Sequence, residues 1–150
     1  NGAISHAFND ILFKSLLMIT VGAVMYVTGK RYCTDLGGLY KTMPITTVLC
    51  IVGAASISAF PLFSGFVSKS MVMAAAAEEG HSVVFLLLLF ASAGVFHHAG
   101  IKIPYFAFFG HDSGIRTREP PINMLIAMAV AAGFCVFNGC YPWIMRFYCL

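Results

Sequence analysis

Long apolar stretches separated by short polar loops run through this chain of 150 residues. The first stretch covers residues 3–28, and the polar loop KRYCTDLGGLYKTM follows it. A helix needs about 20 apolar residues to cross the hydrocarbon core of a bilayer. The pattern therefore predicts a membrane-spanning helix over residues 3–28, with further apolar helices beyond the loop.

The second and third apolar segments meet at a predicted break. The second begins at Pro44, which suits the first turn of a helix, and runs to Phe60. In the sequence PLFSG that follows, Pro61 removes a backbone donor and Gly65 frees the backbone, so we expect the helix to be broken near residues 61–66.

The third segment, FVSKSMVMAAAA, is short and ends at Glu78-Glu79-Gly80. As one continuous helix, the second and third segments would span about 35 residues, or roughly 52 Å. That exceeds one crossing of a core about 30 Å thick. The favoured interpretation is two separate elements with a sharp break, and one long broken helix is the alternative.

Two more apolar segments complete the pattern. The fourth covers residues 82–109 and contains Gly100 and Pro104, where we expect a kink or an unwound turn. The polar loop GHDSGIRTREPP separates it from the fifth, at residues 122–141, after which Pro142-Trp143 places an aromatic ring at the membrane interface. The fold class predicted is an all-α, polytopic membrane helix bundle with about five transmembrane helices.

The distribution of charged residues does not predict how this bundle is oriented in the membrane. Five separate crossings would put the 29–43 loop on the same side as Glu78, Glu79 and the carboxyl-terminal end, with Arg116 and Arg118 on the other side. The positive-inside rule needs a clearer asymmetry of lysine and arginine than this division gives.

Composition agrees with a membrane protein. The chain is 59% hydrophobic and 10% charged, whereas a soluble domain carries about 25% charged residues. The net charge of +3 forms no dense basic patch, so we expect no nucleic-acid partner. The cysteines show no CxxC pair, and we expect neither a metal nor a cofactor. The chain does not begin with Met and shows no signal peptide, which suggests an internal or carboxyl-terminal fragment of a longer membrane subunit.

Three ionisable residues form a row in the first helix. His6, Asp10 and Lys14 are spaced four residues apart, so they lie on one helix face. Asp10 can pair with Lys14 and His6 can bond Asp10, and water could join them into a chain that passes protons. The alternative is that His6 and Asp10 lie at the interface while Lys14 reaches toward the headgroups.

Two further candidates lie in later segments. Lys69 follows the predicted break by a few residues, and broken helices within membranes are tolerated where they line a cavity. In HHAGIK, Lys102 shares a face with His98, and neutral histidine suits proton relay. His97 points in a different direction from its neighbour, and its role stays open. Snorkelling lysines and interface histidines are the structural alternatives.

The order of three blocks resembles a known family. HAFNDILFKSLLMITVGAVMYVTG, DLGGLYKTMPIT and GAASISAFPLFSGFVSKSM together resemble the second half of the proton-conducting antiporters. This family includes antiporter-like subunits of respiratory complex I, Mrp-type multi-subunit sodium/proton antiporters and membrane-bound hydrogenases. IKIPYFAFFG and the fifth segment most resemble the D-type subunit of the Mrp antiporters.

The resemblance implies a bundle of about fourteen helices with two inverted repeats of five, of which this chain would hold the last five helices. The family pattern H-x-x-x-H-x-x-x-K matches His6 and Lys14, with Asp10 at the second histidine position. Lys69 matches the ionisable residue of the GFxSK block, and the resemblance implies that it lies near the proton exit or coupling point. His98 and Lys102 have no role that the resemblance supplies.

We therefore expect proton translocation within a multi-subunit cation (Na⁺)/proton antiporter of the cell inner (plasma) membrane. Protons would follow Lys14, Lys69, His6, Asp10, His98 and Lys102. The expected partners are other membrane subunits, the lipid bilayer, H⁺ and Na⁺. We expect the protein to be a component of a transporter and not an enzyme. One alternative is a proton-pumping subunit of a redox complex such as NADH-quinone oxidoreductase, and a second is a structural membrane subunit with inert charges.

Overall fold

A computed structural model describes residues 2–141 and 143, and this part of the chain is helical without strands. The five helices are α1 (Gly2–Thr28), α2 (Pro44–Ile57), α3 (Ser64–Glu78), α4 (Ser82–Phe109) and α5 (Ile122–Cys140). The predicted all-α class and the number of helices are confirmed. Three of them, α1, α4 and α5, are long and apolar enough to cross a membrane.

Helices α2 and α3 lie end to end along α1 and run antiparallel to it. The neighbours along α1 are Gly2 with Met71, His6 with Ser68, Asn9 with Ser64, Phe13 with Gly65, and Leu16 with Gly53. Helices of 14 and 15 residues measure about 21 and 22 Å, which together match the roughly 40 Å of α1.

The favoured interpretation of two separate elements with a sharp break is confirmed, since α2 and α3 are distinct helices. Because they lie end to end along α1, however, the two helices together make one crossing, and the count of five separate crossings is wrong. The combined length of the two helices exceeds the thickness of the hydrocarbon core, but so does the length of α1. Helix α1 is itself 27 residues long and extends beyond a core of about 30 Å, so the pair that packs along it extends beyond the core as well.

The two polar loops meet at one end of the bundle. The backbone of Gly37 packs against that of His111, and Lys41 forms an ion pair with Asp112 at 3.3 Å. Glu119 reaches the first turn of α2, where its carboxylate accepts a 2.8 Å hydrogen bond from the backbone N–H of Ile45. The expectation that these loops lie on opposite sides is therefore wrong, because α2 and α3 make one crossing between them.

The break itself differs in detail from the prediction. Helix α2 ends at Ile57, before the expected Phe60, and the chain turns through two non-glycine residues with left-handed backbone, Ala59 (φ 58°) and Leu62 (φ 73°). Gly65 does not free the backbone there, since it lies in the first turn of α3. Its small size is needed instead because a Cβ atom would overlap the carbonyl oxygen of Ser56.

Helix α4 continues through Gly100 and Pro104 by widening its turns. Residues Phe96–Ile101 and Tyr105–Phe109 are π-helical, so the expected interruption is a pair of π segments instead of an unwound turn. Gly100 brings the first π segment close to Ser58, at the end of α2. Pro104 is buried there.

The core lies between α1, α2 and α5. Its largest fully buried apolar side chains include Phe13 and Leu16 of α1, Cys50 of α2 and Met128 of α5. The α-helical part of α4, Ser82–Val95, has no buried residue. Trp143, which we expect at the membrane interface, is exposed. The preceding residue, Pro142, lies outside the described residues.

Candidate functional site

An ion pair lies near the middle of α1. The ammonium group of Lys14 is 2.6 Å from the carboxylate of Asp10, and the pair has the i, i+4 spacing that the sequence predicts. The side chains are 60% and 31% exposed, so the pair lies on the outer surface of the described bundle. Because an unpaired charge is costly at membrane depth, mutual neutralisation stabilises both groups there.

His6 belongs to the same helix face but takes a different partner from the one expected. Its Nδ1 atom shares a hydrogen bond of 3.0 Å with the hydroxyl of Ser68 on α3, and no hydrogen bond to Asp10 is present. The expectation that His6 bonds Asp10 is wrong because α3 packs against this turn of α1 and offers a closer hydroxyl. Ser68 in turn donates to the carbonyl oxygen of Ser64 at 3.3 Å.

Lys69 reaches back across the break. Its ammonium group donates a 2.6 Å hydrogen bond to the carbonyl oxygen of Ile57, the last residue of α2. The final carbonyl groups of a helix have no intrahelical partner and carry partial negative charge. A lysine side chain is therefore a suitable partner, and it links the two halves of the broken helix.

Four of the six predicted residues form one electrostatic cluster. Asp10 is close enough to influence the charge of both His6 and Lys69 in addition to its contact with Lys14. The cluster joins two helices and contains a carboxylate, an imidazole and two ammonium groups. Groups of this kind can exchange a proton through short water bridges.

A cavity of about 170 Å³ opens beside this cluster between α1, α3 and α4. His6 and Lys69 contribute polar groups to its wall, Ser92 of α4 lies on the other side, and the rest is apolar. Water occupies about 30 Å³ per molecule in the liquid, so the cavity has room for a short water chain. The polar side chains are therefore next to a space that can be hydrated.

A buried amide and hydroxyl cluster lies behind the charged residues. The side-chain amide NH₂ of Asn138 in α5 donates to the side-chain oxygen of Asn9 at 3.4 Å. The side-chain NH₂ of Asn9 donates in turn to the carbonyl oxygen of Ser64, also at 3.4 Å. The hydroxyls of Ser56 and Ser64 are 3.0 Å apart. Sequence reasoning missed these residues because it considered only ionisable groups. Asparagine in apolar helices is the signal that could have found two of them.

His97, His98 and Lys102 lie apart from this cluster on the exposed side of α4. The two imidazole rings contact each other edge to face, with centroids 5.5 Å apart. Within residues 2–141 and 143, Lys102 forms no ion pair. The structure therefore does not bring His98 and Lys102 together with the other predicted residues.

The four cysteines in the described part of the chain are free thiols. Cys50 and Cys135 are buried, whereas Cys33 and Cys140 are exposed. In the described part of the chain, no three residues of the types His, Cys, Asp and Glu come together in a way that could hold a metal ion.

Comparison with known proteins gives a family match over most of the chain. Residues 1–97 match the profile of the transmembrane region of the NADH:quinone oxidoreductase/Mrp antiporter family. Similar curated proteins include the A-type subunit of the Na(+)/H(+) antiporter of Alkalihalophilus pseudofirmus, at 31% identity over 97% of this chain and 20% of the relative. The putative antiporter subunit mnhD2 of Staphylococcus aureus is 29% identical over 89% of this chain and 28% of the relative.

A solved structure shares the fold. The structure of the Mrp complex from a Dietzia species contains a chain that superimposes with a TM-score of 0.79, at 19% sequence identity. The superposition covers 91% of the present chain and 34% of that chain. The present chain thus spans about a fifth to a third of the proteins that it matches.

Proposed function

Because the chain belongs to the NADH:quinone oxidoreductase/Mrp antiporter membrane family, we propose that it forms the proton-conducting part of an antiporter subunit. The protein is a multi-pass membrane protein. Its proposed activity is exchange of protons against a monovalent cation, with Na⁺ as the first candidate, within an assembly of several membrane subunits in the plasma membrane. The observation that carries the proposal is the contact of Lys69 with the Ile57 carbonyl at a helix break that borders a cavity.

The proposed path starts in the cavity beside α4. Water that fills this cavity would contact Lys69 and His6, which line it. Ser68 holds the imidazole ring of His6 through Nδ1. When the Ser68 hydroxyl donates to the Ser64 carbonyl, Nδ1 of His6 is the donor and Nε2 is left to accept a proton. A neutral imidazole ring in this state can take a proton from water and return it.

From His6 the path continues to Asp10 and Lys14 on the same face of α1. Charges that approach one another in a medium of low dielectric constant interact more strongly than in water. A proton that arrives at His6 or Lys69 therefore weakens proton binding at Lys14, because the positive charges repel each other. The negative charge of Asp10 reduces this repulsion. This coupling lets proton uptake at one group drive release from another.

His98 and Lys102 form a separate proposed stretch of the path, on the π-helical part of α4. An imidazole in the middle of a 28-residue membrane helix is costly unless it faces a polar cavity or another protein segment. We assign these residues to proton transfer on the side of α4 that is exposed in this chain. Loss of proton flux in His98→Ala or Lys102→Met would support this assignment.

The charges of the loops suggest an orientation. Both loops lie at one end of the bundle and carry the basic residues Lys30, Arg31, Lys41, Arg116 and Arg118. The other end carries Glu78 and Glu79 and no lysine or arginine among the described residues. Lysine and arginine near membrane helices favour the cytoplasm, so we propose that the loops are cytoplasmic and that His6 lies nearer the outer surface.

The decisive experiment measures proton flux by the assembled transporter, with the full-length subunit, in membrane vesicles. Lys69→Met keeps the length of the side chain and removes the charge, and we expect a loss of at least about tenfold. Lys30→Met is the matched control because Lys30 is exposed in a loop, and its flux should equal that of the wild type. Wild-type flux in Lys69→Met would contradict the proposal.

A redox-driven pump is the second candidate, since the family profile also covers NADH:quinone oxidoreductase subunits. The similar curated proteins are antiporter subunits, which favours the first candidate. The same vesicles distinguish the two candidates. An antiporter exchanges Na⁺ for protons when an ion gradient is imposed, whereas a redox pump needs an electron donor.

A further inference from the structure

The break between α2 and α3 is a strained connection. Ala59 and Leu62 both have left-handed backbone angles, which residues with a Cβ atom rarely adopt. Such angles persist only where the surrounding structure enforces them. Some other part of the fold must therefore hold this connection in place.

The carboxyl-terminal end of α5 packs directly on the break. A Cβ atom at Gly139 would overlap the carbonyl oxygen of Leu62 and the backbone of Phe63, so only glycine allows this approach. The next residue, Cys140, places its sulfur 3.7 Å from the same carbonyl oxygen. The strained residue Leu62 is thus held from one side by two consecutive residues of α5.

The preceding residue connects the same end of α5 to the start of α3. Asn138 is buried and donates to Asn9 of α1, and Asn9 donates to the carbonyl oxygen of Ser64, the first residue of α3. Buried amides in an apolar core are stable only when they are hydrogen-bonded. Moving α5 would leave these groups unsatisfied, which gives the contact a strong preference for one position.

We propose that Asn138-Gly139-Cys140 is a brace that fixes the break and thereby positions Lys69. The proposal rests on the proposed function. Lys69 lies one turn beyond the segment that the brace contacts and hydrogen-bonds to Ile57 on the other side of the break. A displacement of the break therefore changes the distance between the ammonium group and its carbonyl partner. The residues of the brace are positioning residues, and they lie beyond residues 1–97 that the family profile matches.

Two glycines on α5 provide a matched test. Gly139→Ala inserts a methyl group against the break, whereas Gly133→Ala inserts one where, among the described residues, no atom outside the adjoining helix backbone lies within 4 Å. Both variants are made in the full-length subunit of the assembled transporter, and proton flux is measured across a range of pH. We expect Gly139→Ala to lower flux about tenfold, since small displacements of a reacting group have effects of this size or larger. We also expect the pH of half-maximal flux to shift, while Gly133→Ala matches the wild type.

A second pair tests the brace without added volume near the backbone. Asn138→Leu removes the buried amide, and Asn123→Leu removes an exposed amide at the other end of the same helix. We expect Asn138→Leu to shift the pH profile in the same direction as Gly139→Ala, and Asn123→Leu to leave it unchanged. The amount of assembled complex is measured for every variant, so that flux is expressed per transporter.

The possible results separate this inference from the proposed function. A loss of flux that only follows the loss of assembled complex, with an unchanged pH profile in both variants, would show a merely structural role and overturn the brace. Wild-type flux in Gly139→Ala and Asn138→Leu, together with an inactive Lys69→Met, would overturn the brace and leave the proposed function intact. Full flux in Lys69→Met would overturn both.

Discussion

The ammonium group of Lys69 donates a 2.6 Å hydrogen bond to the carbonyl oxygen of Ile57, across the break between two helices. The carbonyl belongs to the last turn of α2, and the lysine belongs to the second turn of α3. A change in the charge of the lysine therefore acts directly on the contact that joins the two halves. Under the proposed function, the break is therefore the part of the fold where proton binding at Lys69 would be coupled to helix position.

Asp10 should carry protons, beyond its contact with Lys14. We expect Asp10→Asn to lower proton flux about tenfold, because an amide cannot take up a proton at this point in the chain of groups. Asp10→His restores the histidine that the family pattern has at this position, and it should retain most of the flux. The measurement is proton flux in vesicles, with Asp35→Asn in an exposed loop as the control. Equal losses in Asp10→Asn and Asp10→His would show that Asp10 serves only to hold Lys14 charged.

Glu119 should stabilise the start of α2. Its carboxylate accepts hydrogen bonds from the backbone N–H of Ile45 at 2.8 Å and from the hydroxyl of Thr46 at 2.6 Å. The first N–H groups of a helix have no intrahelical partner, and a negative charge there is favourable. We expect Glu119→Ala to lower the free energy of unfolding by about 1 kcal/mol. Thermal denaturation in detergent measures this, with the exposed Glu79→Ala as control. Equal midpoints for the two variants would contradict the capping role.

The contacts of Asp112 that join the two polar loops should persist in mild acid. The pKa of the Asp112 carboxyl is held well below its usual range by hydrogen bonds from the Arg116 guanidinium, the Gly114 N–H and the Lys41 ammonium. The contribution of this carboxylate to stability is therefore complete above the ordinary value of 3.8. It is lost only as the pH falls below that value, through the lower pKa of the folded state.

Spin-label mobility tests this expectation. A nitroxide on Arg118→Cys, in a background where Cys33, Cys140 and Cys149 are serine, reports on the loop without disturbing Asp112. We expect low mobility at all pH values above about 4 and rising mobility below that. In the Asp112→Asn variant the label should be mobile throughout. A transition near neutral pH in the otherwise wild-type protein would contradict the depressed pKa.

Cysteine labelling should detect four crossings of the membrane within the described residues. Arg118→Cys in the loop between α4 and α5, and Glu79→Cys between α3 and α4, are both exposed positions. A membrane-impermeant maleimide should label Glu79→Cys from outside intact cells and Arg118→Cys only after the membrane is opened. The opposite pattern would reverse the proposed orientation. Arg31→Cys, in the loop between α1 and α2, is also an exposed position and should be labelled like Arg118→Cys. Labelling of Arg31→Cys and Glu79→Cys from the same side would contradict the single crossing by α2 and α3.

Much of the helical content followed from local features of the chain. The apolar runs predicted the bounds of the helices closely, and Pro44 is the first residue of α2 as predicted. The position of the break was predicted within a few residues, but its cause was not. Pro61 and Gly65 marked the region, whereas the residues with left-handed backbone are Ala59 and Leu62, and the end of α5 packs against Leu62.

The spacing of ionisable groups located part of the site. The Asp10–Lys14 ion pair was predictable because both residues lie on one helix, where i, i+4 neighbours are fixed by the helical repeat. The partners of His6 and Lys69 were not predictable in this way. Ser68 lies 62 residues from His6 along the chain, and the Ile57 carbonyl becomes available only because α2 ends there.

The sequence by itself determined that this protein lies in a membrane, where its helices run and which charged residues share one face of α1. These are consequences of hydropathy and of the helical repeat, and both act over a few residues. Only the tertiary structure decided that α2 and α3 form one crossing, that the loops share one end, and that Asn138 and Gly139 meet the break. Those features depend on which helices pack side by side, and contacts between distant parts of the chain are set by shape and hydrogen bonding that no local pattern encodes.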